Sequence, residues 1–273
     1  MRPREEAIGA VFSPSDHTFA VCAYKESPYL EECVSSLMAQ TTRTNVIIAT
    51  STPNPSIDRV AQRHGLPVFA SGAPSGICAD WNHAVSRATT PLVTIAHQDD
   101  TYEPTYAERM LEAMNRASHP LIFFCNYGEL RDDRTVDDNR LLRVKRMLLR
   151  PMARRGVSGD ARVKRGILSL GSSICCPSVT LNVPALPSPP FQSVMRSNLD
   201  WDTWERYSHL DGEFVYDSKI LMHHRIHSGS ETSALIRDNT RTAEDLEMLG
   251  RFWPAPVARA LNHIYALGQR SNG

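Results

Sequence analysis

The chain has 273 residues, with 30 Lys and Arg against 30 Asp and Glu, and a zero net charge nominates no nucleic-acid partner. No apolar run approaches the roughly 20 residues of a membrane span. The segment Met1 to Pro14 has charges with no apolar stretch behind them, unlike a signal peptide, so the expected location is cytoplasmic. Six cysteines without a Cys-x-x-Cys pair describe neither a zinc ribbon nor a disulfide framework. Cys22 and Cys125 sit in apolar runs and read as buried thiols.

Residues 1–16 read as poorly ordered. Strand and helix signals then alternate. Thr18–Ala23 is an apolar strand, and Pro28–Ala39 has helical spacing through Leu30, Cys33, Val34, Leu37 and Met38. Asn45–Thr50 is a strand, Ile57–His64 a helix, Leu66–Ala70 a short strand and Ile77–Ala88 a helix. Leu92–Ala96, Thr105–Ala117 and Leu121–Cys125 continue as strand, helix and strand. Such alternation predicts an α/β fold with a mostly parallel central sheet and helices on both faces. The loops Tyr24–Ser27, Ser51–Pro55, Ser71–Gly76 and His97–Tyr102 then share one sheet edge, where ligands of open α/β sheets bind.

The second half is different. Residues 139–165 hold ten Arg and Lys against one Asp, and Arg140, Arg143, Lys145, Arg146 and Arg150 interleave with Leu141, Leu142, Val144, Met147, Leu148 and Leu149. This basic amphipathic helix is either a solvated face or a contact with an anionic membrane or acceptor. Gly171–Asn182 is small and polar before an apolar stretch, and Pro184–Pro190 is a proline-rich loop. Residues 198–210 read as a helix, Phe214–Asp217 and Lys219–Arg225 as strands, and 227–232 as a loop. A tail over 236–273 carries two helical patterns broken at Pro254 and Pro256, and is a candidate surface for homo-oligomerisation.

The most informative stretch is 91–102, Pro-Leu-Val-Thr-Ile-Ala-His-Gln-Asp-Asp-Thr-Tyr. A buried strand ends abruptly on His97, Asp99 and Asp100. Adjacent carboxylates repel unless a cation sits beside them. The pair reads as a metal site; the plainer alternative is a solvated turn in which Asp99 caps the next helix.

Five segments in order resemble the family 2 glycosyltransferases. Ala23-Tyr24-Lys25-Glu26-Ser27 is similar to their first nucleotide loop, and Gly76 to Asn82 to their Gly-rich segment ending in Asn. His97-Gln98-Asp99-Asp100 aligns with their Asp-x-Asp metal motif. Asn198-Leu199-Asp200-Trp201-Asp202 resembles their Glu-Asp acceptor motif, and Arg225-Ile226-His227-Ser228-Gly229-Ser230 their late Arg-x-His loop. The resemblance covers roughly residues 17–235 and implies the GT-A fold, with a nucleotide-sugar half (17–125) and an acceptor half (126–235). There are three departures. His97 replaces the first Asp of the metal motif. Thr50-Ser51-Thr52 stands where a base-reading Asp is usual. Leu199 replaces the Glu before Asp200.

The resemblance implies a metal-dependent inverting transferase. It would move sugar from a nucleotide-diphosphate donor, UDP-linked by expectation, to a hydroxyl of a glycan, lipid-linked or small-molecule acceptor. The leaving diphosphate needs a cation; Asp99 and Asp100 would hold Mn²⁺ or Mg²⁺, with His227 completing the shell, contacting the diphosphate or bracing a turn. The acceptor hydroxyl needs a base; Asp200 is the first candidate and Asp202 the reserve. Ala23, Tyr24, Glu26, Ser51, Asn82, His97 and Gln98 would hold the nucleotide, although Tyr24 reads equally as core. Trp201 and Trp204 read as core before they read as a sugar platform. Two alternatives stay open. Ala96-His97-Gln98-Asp99-Asp100 also resembles the Ala-His-Pro-Asp-Asp signature of zinc-dependent sugar deacetylases, although that motif normally follows the first strand. The other alternative is a non-catalytic nucleotide-sugar-binding domain, against which the presence of both Asp99 and Asp200 argues.

Overall fold

The structure, a computed structural model, describes residues 11–72, 76–131, 134–227 and 240–270. Ten strands form one sheet: β1 His17–Ala23, β2 Asn45–Thr50, β3 Val68–Ala70, β4 Leu92–His97, β5 Thr101–Tyr102, β6 Pro120–Arg131, β7 Arg134–Val136, β8 Val157–Ser158, β9 Thr180–Asn182 and β10 Glu213–Ile226. The helices are α1 Leu30–Met38, α2 Pro55–His64, α3 Ile77–Arg87, α4 Tyr106–Arg116, α5 Arg140–Leu148, α6 Arg150–Ala153, α7 Ala161–Gly166, α8 Leu199–Tyr207, α9 Thr240–Gly250 and α10 Ala255–Arg270.

The strand order is β3-β2-β1-β4-β9-β6-β10-β5, with β7 on β6 and β8 on β10. The first four strands run parallel, and so do the two long strands β6 and β10. Short antiparallel β9 joins these halves by pairing with both β4 and β6. Side chains of β1 alternate between two cores. Phe19, Val21 and Ala23 pack with Leu30 and Val34 of α1 and Tyr106 and Met110 of α4. Ala20 packs on the other face, in the core that holds Trp81 of α3 and Trp201 and Trp204 of α8. Each large apolar side chain so buried contributes about 1.5–3 kcal/mol. Trp201 and Trp204 are core residues, as expected.

Local chemistry sets the boundaries. Asn54 caps α2, its Oδ1 accepting from the N–H groups of Ser56 and Ile57 at 2.9 and 3.2 Å, with Pro55 in the first turn. Gly65 closes the helix in the left-handed region at φ 65°. The N-terminal expectation needs correction. Residues 1–10 lie outside the described residues, but 11–16 are folded: Pro14–Asp16 is a 3₁₀ turn, and Ser13 and Asp16 bond reciprocally.

Two other expectations change. The stretch read as two strands, Phe214–Asp217 and Lys219–Arg225, is one strand of 14 residues. Its register against β6 shifts between Asp217 and Ile220, and this bulge puts polar Asp217 and Ser218 inside a strand. β6 runs on to Arg131, six residues beyond the apolar stretch, because β10 supplies its ladder. The C-terminal helices form where the pattern predicts. They pack on the chain itself: Met248, Leu249 and Ala258 bury in its own core. Among the described residues no helix is long and apolar enough to cross a membrane.

Candidate active site

β4 carries its apolar residues through the sheet and stops at the edge. A tight turn, closed by the Asp100 N–H donating to the His97 carbonyl at 3.2 Å, brings His97, Asp99 and Asp100 together, one ligand atom of each within 4.8 Å of the others. Asp100 is fully buried. Its Oδ1 accepts from the Arg225 backbone N–H at 2.9 Å and from His224 Nδ1 at 3.0 Å. Its Oδ2 has no hydrogen-bond partner and faces His97 Nδ1 at 3.8 Å. The buried Nε2 of His97 is likewise unpartnered, and its ring stacks on Trp81 at 5.4 Å. Orphaned buried polar atoms are costly, and this pair suits a bound cation. The solvated-turn alternative for Asp99 and Asp100 does not fit this burial.

The electrostatics point the same way. Burial pushes the Asp99 carboxyl up, but the charges of His224 and His97 and the His227 bond outweigh it and hold the group below its ordinary value. Burial opposes charge on His224, yet Asp100 and Asp99 lift it to about 9. His227 is placed on Asp99, its Nε2 3.0 Å from Oδ2, and stands outside the three-residue cluster. Of its three expected roles, bracing is the one this contact supports. The rest of its loop, 228–230, lies outside the described residues. Arg225 locks the arrangement: its Nε donates to the Asp99 carbonyl at 2.9 Å, one terminal nitrogen reaches Glu32 at 2.5 Å, and its guanidinium lies over the Tyr29 ring at 4.4 Å.

The nucleotide-side residues divide. Gln98 is tied to Tyr24 by two backbone hydrogen bonds, 3.0 Å from the Tyr24 N–H and 2.9 Å to its carbonyl, so its amide joins the β1 and β4 loops. The Tyr24 ring is 41% exposed, which settles that it is not core. Glu26 is exposed beside it. Lys25, at φ 55°, donates its N–H to Thr52 Oγ1, which bends this loop over the end of β2. The Ala23 side chain is buried, leaving only backbone for a ligand. Asn82 brackets the 190s loop: its side-chain amide donates to the Phe191 carbonyl at 2.7 Å and accepts from the Phe191 N–H at 3.0 Å.

Ser51 is buried and donates to Asp80 Oδ2 at 3.1 Å. Burial raises the Asp80 carboxyl, with Ser51 and His83 opposing. Thus α3 delivers a carboxylate to the end of β2, where the resemblance finds Asp missing. Sequence reading overlooked Asp80; its place in the first turn after Gly76 was the available signal.

Across the cleft, α8 presents Asp200. Its Oδ1 accepts the Trp201 N–H at 2.7 Å and its Oδ2 accepts from Ser172 at 3.3 Å. Burial raises its carboxyl, and the Trp201 bond, Lys145, Arg241 and Ser172 only partly offset this. The entry to α8 is fixed from α9: Glu244 accepts the N–H groups of Arg196, Ser197 and Asn198 at 2.8–2.9 Å, and Asp245 accepts the Asn198 amide at 2.8 Å. Asp202, two residues on, projects to the opposite side of the helix. It is 1% exposed and held in an ion cluster with Arg206 and Arg251. Burial raises the buried Cys175 thiol, Lys145 opposes, and Asp100 and Asp200 both add to the rise.

The family model for glycosyl transferase family 2 matches residues 18–168. No curated protein matches the sequence significantly. Among solved structures, S. aureus TarS 1–349 in complex with UDP-GlcNAc is 13% identical, with a TM-score of 0.61 over 90% of this chain and 70% of that one. The mannosyltransferase PcManGT from Pyrobaculum calidifontis, in complex with GDP-Man and Mn²⁺, is 14% identical, with a TM-score of 0.57 over 92% and 69%. Glucosyl-3-phosphoglycerate synthase from Mycobacterium tuberculosis, with Mg²⁺ and UDP, is 14% identical, with a TM-score of 0.52 over 86% and 80%. At these identities the neighbours show a shared fold, and that fold puts three strands ahead of the His97–Asp100 turn, unlike the deacetylase signature. With the model spanning more than half of its length and the GT-A architecture around the paired carboxylates, the chain belongs to the family 2 glycosyltransferases.

Proposed function

We propose that this glycosyltransferase is metal-dependent and inverting, and that it takes a UDP-sugar. The carrying observation is the end of β4, where buried Asp100 Oδ2, unpartnered, faces His97 Nδ1 at 3.8 Å and buried His97 Nε2 is unpartnered as well. Asp99, Asp100 and His97 fit a divalent ion of the Mn²⁺ or Mg²⁺ kind. When bound, such an ion supplies charge stabilisation to a leaving diphosphate. The chain's own residues do the rest. Tyr24 and Glu26 offer an exposed ring and carboxylate beside the nucleotide, and Asp80 with Ser51 offers a hydrogen-bonding edge for the base. Asp200, its carboxyl raised by burial, accepts the proton of the acceptor hydroxyl as the new bond forms on the opposite face of the sugar. Turnover with a panel of nucleotide sugars, with Mn²⁺, with Mg²⁺ and with chelator, tests the reading, and full activity in chelator would overturn its metal part.

The basic segment supports a peripheral contact with an anionic membrane. Lys145 and Arg146 turn inward, the latter onto the Tyr127 and Asp137 carbonyls, and Arg143 pairs with Asp138. Arg140, Arg150, Arg154 and Arg155 remain exposed, together with Val144 and Met147. That surface suits a lipid-linked acceptor.

A further inference from the structure

We propose that Glu32, in the first turn of α1, is a positioning residue that sets the cation affinity of the β4 turn through Arg225. This rests on the reading of His97, Asp99 and Asp100 as a cation site. Glu31 and Glu32 stand side by side at the start of α1, where the positive end of the helix dipole favours carboxylates. Successive helical residues point about 100° apart. Glu31 accordingly turns to α2 and pairs with Arg63 and His64, each at 2.8 Å. Glu32 turns to the end of β10 and holds a terminal nitrogen of Arg225 at 2.5 Å. That arginine side chain is 4% exposed against 55% for Glu32. Its Nε donates to the Asp99 carbonyl and its backbone N–H to Asp100 Oδ1, both at 2.9 Å. Tyr29, the residue before α1, places its ring 4.4 Å from the guanidinium. A second bond from α1 reaches the other end of the turn, where Cys33 Sγ donates to the His97 carbonyl at 3.2 Å. The start of α1 thus grips the turn at His97 directly and at Asp99 and Asp100 by way of Arg225.

A buried guanidinium beside two carboxylates helps as a donor and hinders as a charge. Its hydrogen bonds fix the backbone of the turn, but its positive charge opposes a divalent cation held there. Glu32 offsets that charge from outside the turn and keeps the guanidinium directed away from the Asp99 and Asp100 carboxylates. With the Glu32 charge removed, the buried Arg225 charge is left undercompensated. The guanidinium then repels the cation and competes with it for the same carboxylates. The plainer account is a half-exposed ion pair of little consequence. It predicts a small loss of stability and no change in metal affinity, so the two accounts part on a binding measurement.

The test is calorimetric titration of Mn²⁺ into the full chain saturated with UDP, run on the wild type, Glu32→Gln, Glu32→Asp and Glu31→Gln, with thermal unfolding of each protein free of metal. Expected is a Kd for Mn²⁺ raised about tenfold or more in Glu32→Gln. Glu32→Asp keeps the charge and is expected to recover part of the affinity. Glu31→Gln removes the same charge from the same helical turn but bonds α2, and is expected to change the Kd less than about twofold. A Glu32→Gln protein that melts lower yet binds Mn²⁺ as the wild type does overturns the proposal and leaves the ion pair a stability contact. Equal weakening by Glu31→Gln overturns it as well, because the effect would then belong to the general field of α1. A wild type that binds UDP but no Mn²⁺ overturns the cation reading, and the proposal with it.

Discussion

Asp100 and His224, 124 positions apart in sequence, share a hydrogen bond of 3.0 Å from Nδ1 to Oδ1. Because Asp100 lifts the His224 imidazole to about 9, His224 is cationic at neutral pH and offsets one of the two adjacent carboxylates. The β4 turn thus offers a cation a net charge nearer −1 than −2. A site so tempered is expected to bind a cation weakly alone and tightly only with a diphosphate to share it.

Asp99→Asn tests that cooperation. Mn²⁺-dependent UDP binding and sugar transfer are expected to be lost, with far-UV circular dichroism unchanged, because the side chain is at a strand end. Retention of most activity would mean that the ion is held elsewhere.

Asp200→Asn is expected to lower kcat by roughly two to four orders of magnitude while UDP affinity stays near wild type. Since burial raises the Asp200 carboxyl above its ordinary 3.8, the acid limb of the wild-type kcat profile belongs above that pH. A loss of donor affinity with unchanged kcat would remove Asp200 from the base role.

His97 places an imidazole among the hard oxygen ligands. Nitrogen donors suit Mn²⁺ and later metals better than Mg²⁺, so His97→Asp is expected to shift the ratio of Mn²⁺ to Mg²⁺ affinity toward Mg²⁺ by roughly tenfold. Isothermal titration with each ion in the presence of UDP reads this directly. An unchanged ratio would exclude His97 from the metal shell.

His17 predicts acid sensitivity. It is fully buried between Thr44 and Thr94, at 3.0 and 2.8 Å, and burial lowers its imidazole to about 3 from 6.5. The unfolded chain therefore binds a proton that the folded chain refuses, and stability falls as pH drops below 6.5 and continues to fall until about 3. One such group gives a slope of about 1.4 kcal/mol per pH unit. Denaturant unfolding of the wild type and of His17→Asn between pH 7 and pH 4 should show a shallower dependence in the variant. Parallel curves would show that the wild type meets no such demand.

Arg140, Arg150, Arg154 and Arg155, all changed to Gln, test the basic surface without touching Lys145 or Arg146. If it meets an anionic membrane, sedimentation with phosphatidylserine vesicles should fall by about 1 kcal/mol per residue removed, and salt should weaken the wild type similarly. A wild type that ignores such vesicles at low salt would favour a solvated face and a soluble acceptor.

Much of this protein is legible in its sequence because its strongest signals are local. The apolar strands of the first half, the Asn54–Gly65 brackets of α2 and the break from Leu92–Ala96 to His97, Asp99 and Asp100 follow from periodicity and capping, which depend only on near neighbours. The sequence alone thus determined the α/β class, the loop edge and the metal-site candidates. Partnerships across the sheet were decided only by tertiary structure. The bulge in β10 and the length of β6 depend on each other's ladder. The bonds of Asn82 to Phe191 and of Asp202 to Arg251 likewise join residues far apart in the chain. Asp80 reaches Ser51 because α3 packs against β2, and no spacing along the chain encodes that approach.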